Sequence, residues 1–187
     1  PWGAHYLPAP TQENPELVKL LAELGVVEGL DRDGEPIIAE QFLCREPEER
    51  IFYKGRWYEG LYLFAGASDE DLRQWKSLEQ EIDRWVAWRD ASGRRAFGLP
   101  MRTGTNDAEI TRLDSLTMAD WLAARSLNSP RLRWVVDYGC RDDYGLRLQQ
   151  TSAWAGLFYF ASRMARPGEE TRPLITWPEG NGRIVNH

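Results

Sequence analysis

The chain has 187 residues, 42% of them hydrophobic and 28% charged, with a formal net charge of −6, the composition of an ordinary globular protein able to bury a sizeable core. That acidity, with no basic stripe to displace phosphate counterions, argues against a nucleic-acid partner, and no apolar run approaches the ~20 residues of a transmembrane helix. Two histidines and two cysteines leave no ligand set for a His-rich metal site. Cys44 and Cys140 lie far apart and outside any Cys-x-x-Cys pattern, so they read as free thiols.

In chain order, Asn14 caps a helix that opens on Pro15, repeats Leu17, Leu20, Leu21 and Leu24 on one face, and closes at Gly25. From Pro36 to Phe64 the pattern is that of strands, "PIIAEQFL", "RIFYKG" and "RWYEGLYLF", with Lys54-Gly55 as a tight hairpin turn. Alternation through Ile51, Tyr53 and Trp57, Glu59 suggests a sheet covered on one face. Ser68 and Asp71 form a capping box for a long helix whose stripe is Leu72, Trp75, Leu78, Ile82 and Trp85-Val86, ending near Gly93. Residues 94–112 carry Gly, Pro, Thr and Asn without periodicity and read as a loop. Thr117 and Asp120 make a second capping box, with Leu116 placed to staple onto Trp121. A further helix opens at Ser129-Pro130 and runs to Gly139. Another follows Thr151 or Ser152 and carries "AWAGLFYFASRMA" up to Pro167-Gly168. "PLITW" is a last strand, and "PEGNG" turns from it into a short apolar segment. The expected class is α+β: a small mixed or antiparallel sheet with four to five helices packed on it.

Chemistry is sparse. Asp142 and Asp143 in "CRDDYG" are paired carboxylates, but neighbours on a turn point apart and the composition is that of a solvated turn. Tyr138 and Tyr144 flank them and make a pocket edge plausible on sequence grounds. "PEGNG" has glycines that allow close backbone approach, yet lacks the pattern of a dinucleotide or phosphate loop. His5, in the apolar "WGAHYL", reads as a core histidine rather than a base. Nine Trp, seven Tyr and six Phe suit core packing and also the wall of an apolar pocket.

The two end segments resemble the family of FAD-dependent amine oxidases and phytoene-desaturase-like oxidoreductases. In "PWGAHYLPAPTQENPELVKLLAELGVV", Gly3, Ala4, His5 and Tyr6 match the family's strand that passes the flavin, and Leu17, Leu20 or Leu21, Leu24 and Gly25 match the helix after it. In "ITWPEGNGRIV", Pro178, Gly180 and Gly182 match the turn that leads back into the FAD domain, with Asn181 between the glycines. "DSLTMADWL" is similar to a recurrent helix start of the family. The resemblance implies that residues 1–187 are one fragment, a substrate-binding domain over 13–175, with 1–12 and 176–187 as edges of an FAD-binding domain elsewhere in the same polypeptide. It implies Gly3, Ala4, His5 and Gly180 beside the cofactor and Tyr138, Tyr144, Trp154 and Trp177 around a small-molecule substrate. No catalytic nucleophile and no metal ligand are expected, and no FAD binding by this chain alone. A stand-alone module that stacks ligands on its aromatics, and an interaction domain, are the alternatives.

Overall fold

The computed structural model describes residues 6–44, 49–164, 166–168 and 173–187. The elements are β1 (Tyr6–Pro8), α1 (Pro15–Glu23), β2 (Val27–Leu30), β3 (Pro36–Ile38), β4 (Leu43–Cys44), β5 (Arg50–Tyr53), β6 (Arg56–Glu59), α2 (Asp69–Ala87), α3 (Ala108–Thr111), α4 (Met118–Ala123), α5 (Pro130–Tyr144), α6 (Ala153–Ala161), β7 (Leu174–Thr176) and α7 (Gly182–Val185). The class is α+β and every paired strand among the described residues is antiparallel. Two compact units divide the chain: Pro1–Pro47 with Thr171–His187, and Glu48–Glu170.

In the first unit β7 is the middle strand of a three-stranded sheet, between β1 and β4. Its register sets Tyr6 against Thr176 and Pro8 against Leu174 on one side, and Leu43 against Ile175 on the other. The β2–β3 hairpin turns on Asp31, whose carboxylate accepts from the backbone N–H groups of Asp33 and Glu35 at 2.8 and 2.9 Å. Asn14 caps α1 through its side chain, and Gly25 follows at φ 71°, the left-handed stop that glycine adopts without a Cβ penalty. Leu21, Val26, Ile175 and Trp177 form the core. Arg183 reaches back to donate to the carbonyl of Leu24 at 3.0 Å, satisfying an end-of-helix acceptor that α1 cannot fill itself.

The second unit is mainly helical. Its core joins α2 (Leu78, Ile82, Trp85, Val86), α4 (Met118, Trp121, Leu122), α5 (Leu132, Val135, Val136, Cys140) and α6 (Ala153, Leu157, Ala161). The capping box at Ser68/Asp71 is formed, whereas at Thr117 the side chain accepts from the Asp120 N–H and the Asp120 carboxylate takes the Thr117 hydroxyl instead of its backbone N–H. Gly139 and Gly156 permit close helix packing: an added Cβ would lie 2.8 Å from the ring of Tyr159 in one case and 2.7 Å from the sulfur of Met118 in the other.

Several sequence expectations are corrected. The segment 36–64 is not one sheet: β3 pairs with β2, β4 with β7, and β5–β6 is a separate hairpin. Across that hairpin Ile51 faces Tyr58 and Tyr53 faces Arg56, so Trp57 and Glu59 lie on the opposite face from Ile51 and Tyr53, and Phe52, Tyr53 and Trp57 are exposed. α2 ends at Ala87, short of Gly93, because Trp88 leaves the helix with extended backbone. Residues 94–112 are packed rather than loose: Ala96, Phe97 and Ile110 enter the core, and α3 and two short 3-10 turns lie within or just beyond the stretch. α5 passes through Gly139 and ends at Gly145, φ 66°, so "CRDDY" is its last turn rather than a loop. α6 ends at Ala161, well before Pro167. Leu116 stays largely exposed although Trp121 is buried.

Candidate functional site

The second unit has a cleft of about 440 Å³ where the β5–β6 hairpin meets the first turns of α2 and α5. Ile51, Phe52 and Tyr53 form one wall, Pro130 and Trp134 another, and Leu63, Asp71 and Arg131 the rest. Local sequence explains the placement. Ser68 and Ser129 cap α2 and α5, and one carboxylate serves both caps. Asp71 accepts from the Ser68 backbone N–H at 2.9 Å and hydroxyl at 2.8 Å, and from the Ser129 hydroxyl at 2.6 Å. Gln74 locks the same junction, its side-chain oxygen accepting the N–H groups of Asn128 and Ser129, each at 2.7 Å.

The electrostatics suit binding rather than proton transfer. The Ser129 hydroxyl first, then the Ser68 backbone and hydroxyl, hold the Asp71 carboxyl down at about 2, far from the value near 7 that a working base or acid needs. Arg131 lies 3.7 Å from Asp71 and donates to the carbonyl of Leu63. Its guanidinium is therefore held in the wall between the Asp71 carboxylate and the Leu63 carbonyl. Cys140 is buried, and burial pushes its thiol up, the opposite of an activated nucleophile. Among the described residues no cluster of His, Cys, Asp and Glu is arranged to hold a metal, and no helix is long and apolar enough to cross a membrane.

The sequence-level site residues fall in separate places. Gly3, Ala4 and His5 lie outside the described residues. Trp177 and Gly180 belong to the first unit, where the Trp177 indole N–H donates to the Gly180 carbonyl, the Gly180 N–H donates to the Trp177 carbonyl at 2.9 Å, and Gly180 takes φ 59°. The backbone polar groups of Gly180 are thus used within the turn. Gly180 is buried, while Gly182 is exposed and a Cβ on it would meet no atom within 4 Å.

Tyr138, Tyr144 and Trp154 are half-buried in the second unit. Tyr138 stacks on Trp134 at 5.9 Å, which connects it to the cleft wall at one remove. The Tyr144 hydroxyl donates to the carbonyl of Ala155 at 2.9 Å, and burial raises its phenol to about 12. Trp154 stacks on Phe158 at 5.1 Å and meets the edge of Phe97 at 5.6 Å. None of these three is among the cleft's lining residues. Asp142 and Asp143 face one pair of partners: Asp143 takes Arg163 at 2.8 Å and Asp142 accepts from the Tyr159 hydroxyl at 3.5 Å, with the Arg163 guanidinium 4.5 Å over the Tyr159 ring.

Sequence reasoning missed Phe52, Arg131 and Trp134 as site residues. Trp134 and Tyr138 were visible as an i, i+4 aromatic pair; the meeting of Asp71 with Ser129 was not, because their contact spans 58 residues of chain.

A two-unit α+β protein with an aromatic-walled cleft in its second unit is the class that this geometry defines. No protein-family model, curated protein or solved structure matches the chain.

Proposed function

We propose that the chain is a substrate-binding part of an FAD-dependent oxidoreductase of the amine oxidase kind, inactive without a flavin-binding domain. One observation carries the reading beyond sequence resemblance. β1 and β7 pair directly, Tyr6 against Thr176, so the two segments that bear the resemblance, nearly the whole chain apart, lie side by side in one unit. That is the connectivity of a domain interrupted by an insertion, and Glu48–Glu170 forms the inserted unit.

FAD, when bound, accepts the hydride, and the protein's share is to bind and orient. In this chain the polar backbone groups of Gly180 are used within the turn and Gly182 is exposed beside it, so the turn's contribution is an edge contact. The pyrophosphate cradle belongs to a helix N-terminus of the dinucleotide-binding type, and no such motif occurs in these residues. The cleft fits the same division of labour, with aromatic walls, one fixed cation and an Asp71 carboxyl held at about 2. Its partners on this reading are the flavin domain of the same polypeptide and a small apolar molecule.

For the alternative of a sugar-stacking module, one angle counts against the hairpin as its platform. The exposed rings of Phe52 and Trp57 are inclined at 52°, whereas a stacking platform presents coplanar faces. The reading frame that precedes Pro1 tests the proposal. A Gly-x-Gly-x-x-Gly turn between a strand and a helix, within roughly 30–60 residues, is expected. An unrelated domain or an initiation codon there contradicts it.

A further inference from the structure

The β5–β6 hairpin lends Ile51, Phe52 and Tyr53 to the cleft wall, but its tip and Trp57 lie outside the cleft lining and are not used by the flavin reading. It is two strands with no third neighbour among the described residues, and its turn is Lys54-Gly55, with φ 46° and 79°. Phe52 and Trp57 sit opposite each other on one face with their ring centroids 5.1 Å apart. They are 60% and 66% exposed, and Tyr53 beside them is 42% exposed. A hairpin held for its fold alone has no need to put three large rings in water.

Charge is distributed as unevenly as the aromatics. The cations sit toward the tip of the hairpin, Lys54 and Arg56 with Arg50 further down, while the acidic residues Glu48, Glu49 and Glu59 come at its two ends in sequence, in a chain whose net charge is −6. Arg50 stands across from Glu59, which leaves Lys54 and Arg56 as the cations of the tip. Among the described residues neither of these two pairs with a carboxylate. Lys54 lies 5.3 Å from the Tyr53 ring.

We propose that this hairpin is an anchor for an anionic membrane surface. Phe52 and Trp57 enter the headgroup layer while Lys54 and Arg56 meet the lipid phosphates. The combination is that of interfacial anchors: amphipathic rings at the level where water and acyl chains meet, with flanking cations drawn to negative lipid. A protein partner fits less well. Three partly exposed rings offer roughly a few hundred Å² of contact, well short of the ~800 Å² per partner of a stable protein interface. The proposal does not depend on the flavin reading, although Phe52 belongs to both the anchor and the cleft wall.

Flotation of the chain with vesicles of phosphatidylcholine, and of phosphatidylcholine containing one-third phosphatidylserine, tests it. Binding is expected to the second and not the first, and it should fall as salt rises to ~0.5 M and the Debye length shrinks. Lys54→Glu/Arg56→Glu, which leaves the rings in place, should abolish it. Phe52→Ser/Trp57→Ser should weaken it at least tenfold, with unchanged far-UV circular dichroism in both variants. No binding, equal binding to both vesicles, or binding that survives either double variant overturns the proposal. So does self-association without lipid that Phe52→Ser/Trp57→Ser removes, because that outcome makes the hairpin a protein contact.

Discussion

At the scale of single residues, Asp71 joins the two helix starts at the cleft. Its folded-state value of about 2 lies below the ordinary 3.8, mainly through the Ser129 hydroxyl and the Ser68 cap. A carboxylate with a depressed folded value contributes stability above its unfolded value and loses that contribution as pH falls toward the folded one. The chain should therefore lose stability between about pH 4 and pH 2. Asp71→Asn should lower stability at pH 7 and flatten the slope in that window, as read from urea midpoints at several pH values. An unchanged slope would remove Asp71 from the account. Gly139 gives a second test. Alanine in a helix interior ordinarily gains about 1 kcal/mol over glycine, but here the new methyl would meet the Tyr159 ring at 2.8 Å. Gly139→Ala should destabilise by about 1–3 kcal/mol, the range for overpacking, and a stabilised variant would show that the α5–α6 contact is looser than described. The need for glycine was invisible in sequence because Tyr159 comes from another helix.

At the scale of elements, local chemistry was the most legible part. The Asn14 cap, the Ser68/Asp71 capping box, the Thr117 cap, the Lys54-Gly55 turn and the α2 stripe from Leu78 to Val86 stand where spacing put them, though Leu72 of that stripe is exposed, because each is decided by residues within four or five positions of one another. What failed was the reading of glycine and of acidic pairs as stops. Gly139 faces a packed ring and stays helical, while Gly145 turns left-handed and ends α5; only the tertiary contact separates the two. Gly145→Ala should accordingly cost about 1–2 kcal/mol, the strain of an L-residue in that region, with no change in the far-UV spectrum. Ser129→Ala should cost about 1 kcal/mol through the lost cap and more through the lost bond to Asp71. Equality with an ordinary surface Ser→Ala change would mean that the cap is not made.

At the scale of the molecule, the α+β class was legible, because strand-like and helix-like periodicities occupy different stretches. Which strands pair was not: β7 reaches both β1 and β4 across most of the chain, and no local pattern specifies such partners. The candidate site was legible only in kind. Aromatic enrichment pointed to an apolar pocket, but Tyr144 and Trp154 are occupied within the helical core, and the cleft is walled by Phe52 and Trp134 instead. Each unit has its own core, so Leu21→Ala in the first and Leu157→Ala in the second, both fully buried, should each cost about 2–5 kcal/mol. Hydrogen exchange should show the faster opening chiefly in the unit that carries the change; uniform acceleration across both would contradict separate cores. The flavin reading is tested most directly by the absorption spectrum of the full-length polypeptide that contains these residues, purified from its source and dialysed. It predicts one bound FAD per chain, bleached on addition of an oxidisable substrate, with no stoichiometric flavin held by residues 1–187 alone. A colourless full-length polypeptide that takes up no FAD, or tight flavin binding by this chain by itself, would contradict it.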